Sequence, residues 1–379
     1  MKKFLNLPIV RELMRVILAL SLGLALGFVI TLIFSKDPIG AYKTLLFGPL
    51  TRLNRIGDWL ETSISLILSG LAVAIVFRAK LWYIGAEGSV LWGALVSGVI
   101  SLFLPVPAVL RIPLAVLGGA LAGALWGLIP AYLKAYLNAS ELVTSLMMNT
   151  IAVKLFEYLL KYFIMPPKMR TVTSDLLPEE FRIGSFIPDW PIFSSIRTAW
   201  VGSTNVSWMV YVTLACVIGV YLLLFKTKFG YELRTMGANP KFASYGGVNV
   251  KRTMMMTILI SGLFAGLAGV HLTMAIHNRL LIDMSAGVGF DGIVVSTLAL
   301  NNPLGVPFTG LLYGYLRTGA DIMERSSDIP RQLVTVIQAA IMLLISAERI
   351  MPAVQHRIEE NKISKSQNGK SKEGEAHAS

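Results

Sequence analysis

The feature that most constrains this sequence is a series of long apolar runs. Most of them extend over roughly 17 to 25 residues, the length that a helix needs to cross a hydrocarbon layer of about 30 Å. The runs raise the hydrophobic share of the chain to 54% and leave only 15% charged residues, a composition that water-soluble domains do not normally have. We therefore expect an all-α integral membrane protein.

Ten apolar runs predict about ten transmembrane helices. The first follows a basic head that resembles a signal peptide, but the run is too long for one, so we interpret it as a retained membrane helix. The run at 290–300 is short enough to be a broken or re-entrant helix. The predicted crossings are residues 16–34, 62–77, 87–104, 112–131, 142–165, 206–225, 253–275, 290–300, 304–322 and 331–347.

The distribution of charge predicts that both termini lie inside. Membrane proteins concentrate Lys and Arg in their cytoplasmic loops, and an N-in, C-in arrangement places most of these residues there. The net charge of +12 is then topological, and we expect no nucleic acid partner. The predicted parts are a cytoplasmic segment 1–15, a transmembrane domain 16–347 and a basic, disordered tail 348–379.

Two short internal sequence similarities suggest that the membrane domain consists of two pseudo-repeated halves. LSGLAVAIVF at 68–77 resembles ISGLFAGLAGV at 260–270, and GAEG at 85–88 resembles GFDG at 289–292. Each pair has a small-residue helix followed by an acidic glycine turn. Two halves of like construction around a central path are typical of transporters.

Five polar residues in apolar surroundings are candidates for lining a translocation path. Carboxylates at membrane depth usually face a cavity or a cation, although capping of a helix start would also explain those in the glycine turns. Interhelical hydrogen bonding would equally explain the amide in LMMNTIA, and the NNPLG sequence is first of all a turn. The candidates are Glu87, Asn149, Asp291, Asn301 and Asn302.

The loop 226–252 is the most informative stretch. Asn239 can cap a helix and Pro240 fits its first position, whereas Gly246 and Gly247 favour a stop. The loop therefore predicts a short helix at 240–245 between two membrane spans. A docking surface for a partner explains such a helix, and a stiff connector is the alternative.

The sequence also contains letters that resemble nucleotide-binding and metal-binding patterns, but their context does not support such sites. GVGFDG at 287–292 matches a dinucleotide-binding motif in letters, but it enters a membrane segment instead of leaving a strand. His271 and His277 have a poor helical spacing for joint metal ligation, and Cys216 lies in an apolar run. We expect no metal site and no catalytic residue.

Three stretches together resemble a known family. YELRTMGANPKFASYGGVNVKR, IGAEGSVLWGA and GFDGIVVSTLALNNPLG are similar to the permeases of ABC importers for ribose, other simple sugars, nucleosides and branched-chain amino acids, and the nucleoside-type branch is nearest. The likeness covers residues 60–347. It implies ten helices per subunit and a coupling helix that contacts an ATPase through Glu232, Arg234, Gly237, Ala238, Asn239 and Pro240.

The resemblance also implies the partners and the mechanism. These would be a tandem-cassette ABC ATPase, an extracytoplasmic substrate-binding lipoprotein and a second, non-identical permease, all at a bacterial or archaeal cytoplasmic membrane. The partner ATPase would use the ATP, so this chain would be no enzyme and need no cofactor, and alternating access would move nucleosides or simple sugars. The external stretch 166–205 would be either a docking surface or a cover for helix ends. The alternative function is a secondary transporter that couples an ion gradient through Glu87 or Asp291.

Overall fold

The computed structural model describes residues 21, 23–29, 31–33, 35–167, 169–184, 206–330, 333–337 and 339–340. Over these ranges the chain is mainly helical and contains isolated β-bridges, such as the one between Thr173 and Leu281, but no extended strand. The all-α prediction is therefore confirmed. The segment 1–15 and the tail 348–379 lie outside the described residues, as do parts of the expected crossings 16–34 and 331–347 and of the external stretch 166–205.

Among the residues that the structure describes, six helices are long and apolar enough to cross a membrane, which confirms a multi-pass membrane protein. We label the helices in chain order from the one that begins at Pro38. They are α1 (Pro38–Phe47), α2 (Leu53–Arg78), α3 (Ala86–Phe103), α4 (Ala108–Leu137), α5 (Glu141–Leu159), α6 (Met209–Lys226), α7 (Lys228–Ala238), α8 (Pro240–Tyr245), α9 (Val250–His271), α10 (Val288–Leu298) and α11 (Val306–Ser326). The spans are α2, α3, α4, α6 and the π-extended helices Glu141–Ile164 and Val250–His277.

The expected crossings agree with these helices to different degrees. The run at 290–300 is indeed a short helix, α10, as expected for a broken crossing. The run at 304–322 corresponds to α11, which is helical but falls outside the six apolar spans. Helix α2 begins at Leu53, nine residues before the expected residue 62. Its first turns carry polar side chains, so they lie outside the apolar run from which the crossing was predicted.

The chain divides into two compact units, residues 44–322 and residues 1–43 with 323–379. The first contains every site discussed below. In the second, Asp328 accepts hydrogen bonds from the Ser35 hydroxyl at 2.8 Å and from the Lys36 N–H at 2.9 Å. These bonds lower the pKa of the Asp328 carboxyl, because they favour its charged form.

Helices α3, α4 and α9 form the tightest part of the larger unit. A Cβ added to Gly93 of α3 would lie 2.3 Å from the carbonyl oxygen of Gly266 in α9, and one on Gly123 of α4 would lie 2.5 Å from that of Gly262. Backbones approach so closely only where side chains are absent. Helix α2 packs beside them with Leu66, Leu68 and Leu71 fully buried.

The predicted helix in the loop 226–252 is confirmed at its predicted bounds. Helix α8 runs from Pro240 to Tyr245, and the Asn239 side chain accepts hydrogen bonds from the N–H groups of Lys241 and Phe242 at 3.0 and 3.1 Å. Gly247 follows with φ of +81°, a value that glycine adopts without strain. The loop also contains α7, which the sequence did not predict.

Candidate functional site

The two acidic glycine turns meet in the larger unit. A Cβ added to Gly289 would lie 2.4 Å from both the Cα and the backbone N of Glu87. GAEG begins α3 and GFDG begins α10, so the starts of two helices are in direct contact. The two similar glycine motifs, GAEG and GFDG, therefore contact each other in the structure. We call this contact the junction of the two glycine turns.

Glu87 closes this junction with its carboxylate. Its Oε2 accepts a hydrogen bond from the Gly289 N–H at 2.7 Å, and its Oε1 accepts one from the Ser285 hydroxyl at 2.5 Å. Glu87 is only 5% exposed. The carboxylate thus satisfies a free N–H at the start of α10, a helix other than its own, where the helix dipole also favours negative charge.

Asn149 of α5 holds the same turn from its other side. Its Oδ1 accepts from the Gly88 N–H at 2.9 Å and its Nδ2 donates to the Ile84 carbonyl at 2.8 Å. Ser145, one turn earlier, accepts from the Ile84 N–H at 3.2 Å. Of the two explanations left open for Asn149, interhelical hydrogen bonding is the one that these contacts display.

Asp291 belongs to a partly buried ion pair. Arg317 of α11 donates to its carboxylate, and the Tyr313 hydroxyl donates to the other carboxylate oxygen at 2.5 Å. Arg317 also donates to the Ala286 carbonyl at 3.0 Å. The pair connects the first turn of α10 to α11. Both carboxylate oxygens of Asp291 accept hydrogen bonds from within the protein.

Asn301 and Asn302 form the turn that was expected between helices. Leu300 and Asn301 both have φ of +55°, the left-handed region that Asn tolerates better than most residues. The Asn301 carbonyl accepts a hydrogen bond from Arg78 Nε at 2.9 Å, and Asn302 Oδ1 accepts one from the Leu304 N–H at 3.2 Å. Asn302 is exposed and Asn301 is partly buried.

A buried cluster that sequence reasoning missed surrounds Glu61. His271 Nε2 lies 2.5 Å from Glu61 Oε2, and the Ser65 hydroxyl lies 2.7 Å from His271 Nδ1. The second oxygen of Glu61 accepts the N–H of Ser207. The four residues join α2, α9 and the segment just before α6. Glu61 and Ser65 are four residues apart and therefore lie on one face of α2, but an apolar run around them gives no sign of a polar cluster.

The surface around α8 exposes aromatic side chains. Phe242 is 67% exposed and Tyr245 is 90% exposed, and Ala238, Asn239 and Pro240 are also exposed. Single apolar residues on a surface are ordinary, but two aromatic rings on one six-residue capped helix form a rigid apolar projection. The geometry is suited to contact with another protein.

The other three residues that were expected to contact the ATPase, Gly237, Arg234 and Glu232, are less exposed. Gly237 is buried, and an added Cβ would lie 2.7 Å from the Arg78 carbonyl oxygen. Gly237 therefore lets α7 close onto the end of α2 and does not itself face outward. Arg234 donates to the Leu224 carbonyl and lies over the Phe225 ring at 5.2 Å, while Glu232 is partly exposed on α7.

Comparison with known proteins identifies the family. The model of a family described as "Branched-chain amino acid transport system / permease component" matches residues 55–346. The nucleoside ABC transporter permease NupB of Lactococcus lactis subsp. cremoris is 30% identical over 90% of this chain and 92% of its own. The guanosine ABC transporter permease NupP of Bacillus subtilis is 30% identical over 87% and 92%.

An archaeal relative is named for a sugar. A glucose ABC transporter permease of Haloferax volcanii is 30% identical over 88% of this chain and 87% of its own. No solved structure matches the chain. The family model covers most of the chain and the relatives are covered over nearly their whole length, so this protein belongs to the family of ABC transporter permease components.

Proposed function

We propose that this chain forms the translocation path of an ABC importer for nucleosides or simple sugars. Three similar permeases are named for nucleosides, guanosine and glucose, which supports this substrate range. Permeases of this family work with an ATPase and a substrate-binding protein, and the permease itself is not catalytic. The observation that carries the mechanism is the rigid, exposed helix α8 with its two aromatic residues.

In the proposed mechanism, ATP-driven closure of the ATPase pushes on α8. The exposed residues Ala238, Asn239 and Pro240 would contact the ATPase directly, with Arg234 and Glu232 beside them. Gly237 would transmit the push, because it brings α7 against the end of α2. A conformational change of this kind moves a path from outward to inward facing only if the ATPase binds the two states differently.

The proposal also includes the partner subunits, the membrane topology and the residues beside the path. The ATPase would have tandem cassettes, the binding protein would be an extracytoplasmic lipoprotein, and a second, non-identical permease would complete the path. The chain would cross a bacterial or archaeal cytoplasmic membrane ten times, with both termini inside. Two pseudo-repeated halves would place the junction of Glu87 with Gly289, and the nearby Asn149, Asp291, Asn301 and Asn302, next to the path.

Reconstituted uptake tests this function. The complete set of subunits would be placed in proteoliposomes, and uptake of labelled guanosine, adenosine, glucose and leucine would be followed with ATP or with a non-hydrolysable analogue. We expect uptake of a nucleoside or sugar that needs both ATP hydrolysis and the binding protein. Uptake driven by a proton or Na⁺ gradient without the ATPase would instead establish the secondary transporter.

A matched pair of variants tests the contact at α8. Tyr245→Ala removes a ring that is 90% exposed, so the fold should be unaffected while uptake and stimulated ATP hydrolysis fall together. Phe103→Ala removes a ring that is 59% exposed at the far end of α3, away from the loop, and should leave both unchanged. Equal activity of the two variants would contradict the docking assignment.

A further inference from the structure

The last two turns of α4 carry a stacked pair of exposed tyrosines. Tyr132 and Tyr136 are each 52% exposed, and the centroids of their rings lie 4.9 Å apart at an interplanar angle of 29°. The Nζ of Lys251, in the first turn of α9, lies 5.0 Å from the centroid of the Tyr136 ring. Arg252 follows and is also exposed. We call these four residues the tyrosine–lysine patch.

The two basic residues of the patch lack an acidic partner. Within the part of the chain that the structure describes, neither Lys251 nor Arg252 forms an ion pair. Lys134, which lies between the two tyrosines in the sequence, is by contrast neutralised by Glu141 of α5 at 2.6 Å. The patch therefore offers two positive charges that are free to pair with an anion.

An exposed apolar surface of α4 leads away from the patch. Leu125 and Ile129 are 61% and 47% exposed, and their spacing of three and four residues places them on the same side of α4 as the tyrosines. From Tyr136 to Leu125 this side extends about 16 Å along the helix axis. That length is about half of a hydrocarbon core of about 30 Å, so it matches an acyl chain in one leaflet.

The order of these groups along the surface corresponds to the order of groups in a phospholipid. Tyrosine rings are enriched at the level of lipid headgroups, because they combine an apolar body with a polar tip. Lys and Arg side chains next to a membrane surface attract lipids with a net negative charge. The Tyr136 ring also stabilises the nearby Lys251 cation through its face, which keeps the ammonium group beside the aromatic pair.

We propose that the tyrosine–lysine patch binds the headgroup of an anionic phospholipid, whose acyl chain lies along Leu125 and Ile129. The Lys251 ammonium and the Arg252 guanidinium donate to the phosphate oxygens, and the tyrosine hydroxyls lie at the level of the glycerol esters. The inference goes beyond the proposed function, since it concerns a lipid and not the solute. A bound lipid holds the start of α9, directly after the loop 226–252.

Photo-crosslinking in vesicles tests this site. The complete transporter is placed in phosphatidylcholine vesicles that contain a trace of phosphatidylglycerol with a diazirine on one acyl chain. After illumination, mass spectrometry measures the yield of cross-linked lipid on residues 121–136. The variants are Lys251→Ala, Arg252→Ala and the two together. The matched control is Lys228→Ala, which removes an exposed basic residue at the start of α7. A second series uses phosphatidylcholine with the same diazirine.

We expect each single variant to lower the phosphatidylglycerol yield about fivefold and the double variant to lower it further, whereas Lys228→Ala should leave it unchanged. Equal yields for Lys251→Ala and Lys228→Ala, or for the two lipids on the unaltered protein, would overturn the headgroup site. Full displacement of the lipid by millimolar inorganic phosphate would also overturn it, in favour of a free-anion site. Absence of lipid on residues 121–136 would show that another subunit covers this side. No step needs solute uptake, so these outcomes are separate from the test of the proposed function.

Discussion

Gly289→Ala is the substitution that most directly tests the junction of the two glycine turns. The added methyl group would lie 2.4 Å from the Cα and N of Glu87, whereas non-bonded carbon atoms prefer about 3.5–4.0 Å. Both obstructing atoms belong to the backbone, so no side-chain rotation relieves the overlap. The starts of α3 and α10 would have to separate by about 1 Å.

The separation has two costs and one gain. Overpacking of a close-fitted interior costs about 1–3 kcal/mol, and a separation of 1 Å would break the 2.7 Å bond from the Gly289 N–H to Glu87, a bond to a charged group that is worth about 1.5–3 kcal/mol. Replacing glycine by alanine within a helix returns about 0.5–1 kcal/mol. We therefore expect a net loss of about 2–5 kcal/mol.

Thermal unfolding of the purified transporter in detergent measures this loss. One kcal/mol shifts the Tm of a domain of 150–250 residues by about 2–4 °C, so Gly289→Ala should lower the Tm by about 5 °C or more. The control is Gly219→Ala on α6, where an added Cβ meets nothing within 4 Å and the Tm should hold or rise slightly. A Tm for Gly289→Ala equal to that of the control would refute the contact.

Three further predictions concern the other contacts. Asn239→Ala removes both capping bonds of α8 at a cost of about 1 kcal/mol and should lower ATP-dependent uptake while the Tm changes little; unchanged uptake would contradict a coupling role. Arg317→Leu leaves the partly buried Asp291 carboxylate with Tyr313 as its remaining side-chain partner and should cost about 1–3 kcal/mol, whereas the double variant with Asp291→Asn should recover part of the Tm; a double variant no more stable than the single one would argue against the ion pair. His271→Leu removes the partner of Glu61 and should lower the Tm more than Glu61→Gln with His271 intact; the reverse order would contradict their pairing.

The local rules of helix capping predicted one part of this structure to the residue. The α8 helix follows from Asn239, Pro240 and a glycine stop, all of which act within a few residues of each other. The same kind of reasoning placed Glu87 and Asp291 at glycine turns that begin helices. Local chemistry sufficed there because each signal and its effect lie in one short stretch.

The partners of those residues could not be predicted in the same way. Glu87 binds Ser285 and Gly289, about two hundred residues away, and Glu61 binds His271 across a similar distance. A single sequence contains no signal for such pairings, since any buried carboxylate can be satisfied by many donors. Hydropathy also misplaced the start of α2, because polar residues that find partners in three dimensions look like loop residues in one.

The exposure of Lys154 was equally beyond the sequence. Charged residues such as Lys154, Glu157 and Lys161 are unusual inside a crossing, yet the span continues through a π turn to Ile164. Only the packing of α5 on α3 and α4 separates the side with Asn149 from the side with Lys154. Which way a polar residue faces depends on its neighbours in space.

The tight seating of Gly237 on α2 has a mechanical consequence. Arg78 ends α2, its carbonyl lies against Gly237, and its guanidinium holds the Asn301 carbonyl at 2.9 Å. A displacement of the loop 226–252 would therefore reach the last turn of α2 and the turn after α10 through one residue, with no flexible segment between. The end of α2 and the end of α10 would then tilt together about Arg78.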